Sequence, residues 1–158
     1  MALKTFVDGE VLTSADVNTY LVNTLYAVKA SDESVTSSTT LQDDEHLFAS
    51  VAANSVYEVT VALRGTANSS GDLKVQFAGP AGATGLFGAG KDHSCVTLGT
   101  PNGPISLSTA TPDTVFFMGT LTVGGTAGTF KLQWAQNTSN ATATTLQAGS
   151  YMVLRRIL

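Results

Sequence analysis

Only one of the 158 residues is cysteine, Cys95, and only two are histidine, His46 and His93. That excludes an internal disulfide framework and any multi-cysteine zinc site, and it leaves little material for a metal centre or a general base. Charge is scarce as well. Asp, Glu, Lys and Arg make up 13% of the chain, against about 25% in an ordinary soluble domain. A net charge of −4 and a pI near 4.9 offer no basic field to hold nucleic acid. No apolar run approaches the roughly 18 residues of a membrane helix, and the opening MALKTFVDGEV lacks the apolar stretch of a signal peptide. The expectation is a soluble chain made in the cytosol, with neither nucleic acid nor membrane as partner.

What stands in place of charge is small and hydroxylic: 15 Gly, 23 Thr and 14 Ser. Thr favours half-buried pleated surface and Gly favours turns, so the composition leans all-β. A chain of this length buries roughly 68–70% of its unfolded surface and needs no metal or disulfide to hold one core. The charge is also unevenly placed. Eight carboxylates against Lys4 and Lys29 give residues 1–45 a net −6, whereas the remainder carries +2.

Residues 1–12 read as an extended arm with Phe6, Val7, Val11 and Leu12 around an Asp8-Gly9 turn. Thr13-Ser14-Ala15-Asp16 then supplies a hydroxyl cap and a first-turn acid, close to a capping box. Val17, Tyr20, Leu21, Thr24, Leu25 and Val28 follow at i, i+3, i+4, i+7, i+8 and i+11. That spacing predicts one amphipathic helix of about 16 residues, too short to be stable alone and so packed on its own body or on a partner.

From about residue 34 the period changes to two. Val56 to Arg64, Leu73 to Phe77 and Phe130 to Gln136 alternate apolar and polar, as strands with one wet face do. Weaker strands are expected at Val35 to Leu41, His46 to Val51, Cys95 to Leu98, Pro104 to Ser108, Thr114 to Val123, Ala141 to Leu146 and Tyr151 to Ile157, with Asp43-Asp44 among the turns. Eight to ten short strands argue for a sandwich, with the jelly roll the commonest eight-strand solution. Residues 114–123 are apolar on both faces, through Phe116 and Met118 on one and Val115, Phe117, Leu121 and Val123 on the other. Such a strand lies centrally or buries its outer face against another subunit.

The chemistry-bearing motifs are thin. Gly79, Gly82, Gly85 and Gly88 recur every third place, too briefly for a collagen triple helix, and read as a long loop with Phe87 at its tip as a surface-contact residue. Gly88-Ala89-Gly90-Lys91 lacks the spacing of a phosphate-binding loop. Cys95 has His93 two residues away but no orienting acid, and Asp43-Asp44-Glu45 lacks the spacing of a calcium loop. The three N-x-S/T triplets at Asn68, Asn137 and Asn140 are chance matches in a Thr-rich chain. We therefore expect no enzyme, no cofactor and no metal, but mechanical or adhesive work.

One resemblance goes beyond composition. Phe6-Val7-Asp8-Gly9-Glu10-Val11-Leu12-Thr13-Ser14-Ala15-Asp16-Val17-Asn18-Thr19-Tyr20-Leu21 resembles the opening F-x-x-G-E-V-L-T-A-A-D-V-N-T-Y-L shared by virion structural proteins of bacteriophages that infect actinobacteria, among them minor tail proteins. The stretches 51–64, 77–85 and 130–157 resemble the same group. The resemblance implies a small β-sandwich of the virion, a homotrimer made in the host cytoplasm and attached to the major capsid protein or to tail proteins through its N-terminal region. With no shaft-forming repeat, a capsid decoration protein is expected ahead of a minor tail or short tail-spike protein whose loops 79–90 and 97–104 would contact a host receptor or carbohydrate. The expected organisation is an attachment arm and helix over 1–30 and a jelly-roll-like β-sandwich over 31–158. The expected attachment and oligomer contacts are Phe6, Val11, Leu12, Val17, Tyr20, Leu21, Leu25, Val28, Phe116 and Met118.

Overall fold

The computed structural model describes residues 5–17, 23–89 and 95–158. Among the described residues the protein is all-β apart from one helical turn, α1 (Ser14–Asp16). The strands are β1 (Thr24–Val28), β2 (Glu33–Val35), β3 (Gln42–Val51), β4 (Ser55–Thr66), β5 (Leu73–Ala78), β6 (Thr84–Ala89), β7 (Cys95–Thr97), β8 (Asn102–Ile105), β9 (Asp113–Val123), β10 (Gly128–Gln136), β11 (Thr144–Leu146) and β12 (Tyr151–Arg156).

They form two antiparallel sheets. The larger has eight strands in the order β1-β12-β4-β9-β6-β7, with β11 beside the far end of β4 and β2 beyond it. The smaller has four, ordered β3-β10-β5-β8. Strong alternation decides the inner faces. Tyr57, Val59, Val61 and Leu63 of β4 are buried, and so are Leu73, Val75 and Phe77 of β5 and Phe130, Leu132 and Trp134 of β10. Phe77 sits at the centre, its ring centroid 4.8 Å from Phe87, 5.5 Å from Phe117 and 5.6 Å from Phe130. Rings from both sheets thus interlock at the separations aromatic pairs prefer.

Three expectations are corrected here. The amphipathic helix does not run to Val28: α1 is a single turn, and Leu25 and Val28 lie in β1, paired with Leu154 and Tyr151 of β12. Thr24, Tyr26 and Val28 favour a pleated surface. The ladder along β12 satisfies the backbone of this segment, where a short helix on its own would be marginal. The segment 24–28 therefore belongs to the sheet, so the large sheet begins before the expected boundary at residue 30. Tyr20 and Leu21 lie outside the described residues.

The second correction concerns Phe87. It is no loop tip but a fully buried residue of β6, and the glycines around it are strand glycines. A Cβ on Gly85 would stand 2.8 Å from the Phe87 ring, and one on Gly119 would strike the Leu86 carbonyl oxygen. The missing side chains let β6 lie close against β9 with the ring of Phe87 folded over the gap. Asp43-Asp44 likewise forms no turn, because both residues lie within β3.

Candidate functional site

The N-terminal arm is organised by short-range bonds. Asp8-Gly9 turns the chain, with Gly9 at φ +82° and the Glu10 amide donating to the Val7 carbonyl at 3.1 Å. Thr13 caps α1 reciprocally: the Asp16 amide donates to Thr13 Oγ1, and the Thr13 amide to Asp16 Oδ2, each at 3.1 Å. The capping box read from the sequence is present, with Asp in the place usually held by Glu or Gln. Phe6, Val7, Val11 and Leu12 are exposed on this arm, and Val17 closes the helical turn half-buried.

Just past β1, a buried ion cluster fixes the chain. Lys29 follows β1, and its Nζ donates at 2.7 Å both to Asp44 Oδ2 on β3 and to Glu33 Oε2 on β2. Asp44 Oδ1 accepts from the amides of His46 and Leu47, each at 2.9 Å, and Glu33 Oε1 accepts from Gln42 Nε2 at 2.7 Å. Every charge is met by an opposite charge or a donor, the condition under which burial of ions is tolerated. This cluster ties the edge of the large sheet to β3 of the small one.

The outer faces of the two sheets differ in kind. On the small sheet, Asp43 accepts from Lys131 Nζ at 2.5 Å and Gln133 Nε2 at 2.7 Å, and Gln76 Nε2 reaches Gln133 Oε1 at 3.0 Å. Those bonds from Lys131 and then Gln133 hold the Asp43 carboxyl below the ordinary carboxylate range. Phe48 is the exposed aromatic among these polar groups.

On the large sheet the outer face carries an apolar patch among threonines and a few charges. The register runs Tyr26, Val153, Thr60, Met118, Gly88, Cys95 across six strands, and beside it Val28, Tyr151, Ala62, Phe116. Phe116 and Met118 are exposed, so the doubly apolar strand is central in its sheet and still presents its outer side to solvent. Of the expected contact residues, the fold brings Val28, Phe116 and Met118 onto this face, leaves Phe6, Val11 and Leu12 on the arm, and turns Leu25 toward the core. Tyr26, Leu86 and Val153 belong to the same face and were missed. Tyr26 and Val153 carry the β-propensity that marks such a surface, whereas Leu86 among glycines gives no sequence signal.

Among the described residues no catalytic constellation emerges. Among the described residues no group of three His, Cys, Asp or Glu side chains could hold a metal ion, and no helix is long and apolar enough to cross a membrane. Asp43 and Asp44, neighbours in sequence, serve opposite faces of β3, as a two-residue period requires. Cys95 is exposed on β7, and His93 lies outside the described residues.

Compared with protein-family models and with curated proteins, the chain matches none. Among solved structures it is similar to the tripod (BppUct-A-L) from the baseplate of bacteriophage Tuc2009, at 10% identity and a TM-score of 0.39, over 98% of this chain and 74% of that one. That likeness is too distant to transfer a fold or a role.

Proposed function

We propose that this chain is a bacteriophage virion structural protein: a homotrimeric capsid decoration protein that docks onto the major capsid protein through its N-terminal segment. The observation that carries the reading is the arm. Residues 5–17 set Val7, Val11 and Leu12 in solvent, ahead of a sandwich that satisfies its own core. Apolar side chains held out on a short capped segment have no use in a lone domain and a ready use in docking. The similarity of this same segment to the opening of virion proteins points the same way.

The strand order supports a jelly-roll reading of the body. Strands β3 to β6 alternate between sheets, β7 stays beside β6, and β8 to β10 alternate again, giving β3-β10-β5-β8 facing β4-β9-β6-β7. That is the nesting of two Greek keys. Strands β12 and β1 then extend one edge, so the arm enters beside the C-terminal strand.

A second reading has one observation in its favour. The fixed ladder of Asp43, Gln133 and Gln76 beside exposed Phe48 offers the carboxylate, amide and aromatic groups of a carbohydrate site, as a minor tail or short tail-spike protein would need. Immunogold labelling of intact virions with antibody against this chain separates the two. Label over the head supports decoration, label confined to the tail supports the second reading, and unlabelled particles contradict both.

A further inference from the structure

The outer face of the large sheet has more apolar surface than a lone subunit needs. Tyr26 is 77% exposed, Met118 59%, Val28 54%, Leu86 53% and Phe116 47%. At roughly 200 Å² per large side chain, these fractions leave on the order of 500 Å² of apolar surface in solvent, near the upper limit for a soluble monomer. The row from Tyr26 to Cys95 crosses five inter-strand steps of about 4.8 Å, so the face is about 24 Å wide. With half-buried Tyr151 and Val153 filling it, the patch reaches the scale of the roughly 800 Å² that each partner contributes to a standard interface.

Little charge stands on this face. Glu58 and Arg155 neutralise each other at 2.6 Å along one side. Arg64 stands exposed at the opposite margin, next to the row of Ala62 and Phe116. The face therefore carries no negative excess, although the chain as a whole is at −4. When a second copy covers this face, each side brings Arg64 and a neutralised Glu58–Arg155 pair, so little charge is taken out of water. Aromatic and Met side chains with little charge are also the composition of permanent interfaces between like subunits.

We infer that the outer face of the large sheet, centred on Met118 and Tyr26, is the contact between copies of this chain. The inference rests on the homotrimer reading above and names the surface that builds it; the arm stays free for the capsid or tail partner. The small sheet then faces outward, with its Asp43, Lys131 and Gln133 ladder in solvent.

The test is the solution mass of the full chain at about 50 μM, by light scattering behind size exclusion, for the natural protein and the single variants Met118→Lys, Tyr26→Lys and Phe48→Lys. All three positions are exposed strand residues, and thermal melts are to check that each variant folds. The natural protein and Phe48→Lys are expected at three times the chain mass, with Met118→Lys and Tyr26→Lys at one. If Met118→Lys and Tyr26→Lys both keep the trimer mass, the surface assignment is wrong while the homotrimer reading stands. A natural protein that runs as a monomer overturns both. Should Phe48→Lys alone dissociate, the contact lies on the small sheet and the inference fails.

Discussion

Lys29 Nζ and Asp44 Oδ2 lie 2.7 Å apart with both side chains wholly buried, and this pair joins the edge of one sheet to the edge of the other. Removing one partner leaves an uncompensated charge in the interior, which costs about 3–5 kcal/mol. Lys29→Met strands Asp44, although two backbone amides still bond its other oxygen. Urea unfolding of this variant is expected to lose stability in that range. A loss below about 1 kcal/mol would show that the pair does not clamp the sheets.

Neighbouring phenylalanines on β9 have opposite duties. Phe117 is buried against Phe77, whereas Phe116 faces outward. Phe117→Ala is expected to cost about 3–5 kcal/mol through the cavity it leaves. Phe116→Ala should change folding stability by less than about 1 kcal/mol when measured on dissociated subunits. Equal losses in the two variants would contradict the assignment of faces.

Gly119 allows β6 to approach β9, since a Cβ there would strike the Leu86 carbonyl oxygen and sit 2.8 Å from the Phe87 Cα. Gly125 has open space around it. Gly119→Ala is expected to destabilise by at least about 1–3 kcal/mol, as overpacking does. Gly125→Ala should stay within about 0.5 kcal/mol of the natural protein. Thermal melts of the pair check the difference, and a Gly119→Ala protein that melts with the parent would refute the close approach.

Asp43 gives a pH signature. Its folded-state carboxyl titrates below the unfolded one because Lys131 and Gln133 bond the charged form. Its contribution to stability is thus complete above the unfolded value near about 3.9 and is lost as pH falls through the lower folded value. The group is half exposed, so the contribution is small and weakens with salt. An NMR titration should place the Asp43 midpoint below that of an ordinary aspartate and move it upward in Lys131→Met. A midpoint unchanged by the substitution would remove Lys131 as the cause.

These residues also show what could be read from the sequence. β4, β5 and β10 were legible because each buries one whole face, so large apolar residues recur at every second place along most of their length. β1 was not: Leu25 and Val28 fit a helical stripe, and only the open edge of β12 decides for a strand. β6 was hidden by its glycines, which in sequence mean a turn and in the fold mean room for Phe87. Asp43-Asp44 looked like a turn since two adjacent acids suggest solvent. Each instead finds a distant lysine, Lys131 for one and Lys29 for the other. The apolar strand at Phe116 and Met118 was visible from its composition. The width of the face was not, because Tyr26, Val153 and Leu86 come from three separate strands that only the register brings into line.

The arm is the centre of the functional account, and its removal is the most direct trial. Particles lacking this protein, incubated with the full chain or with a chain beginning at Asn23, can be sedimented and assayed for bound protein. The shortened chain keeps β1, Lys29 and the whole sandwich, so it should melt within a few degrees of the parent. The account predicts that the full chain sediments with capsids and the shortened one stays in the supernatant. Equal binding by both chains, or no binding of the full chain to either capsids or tails, would contradict it.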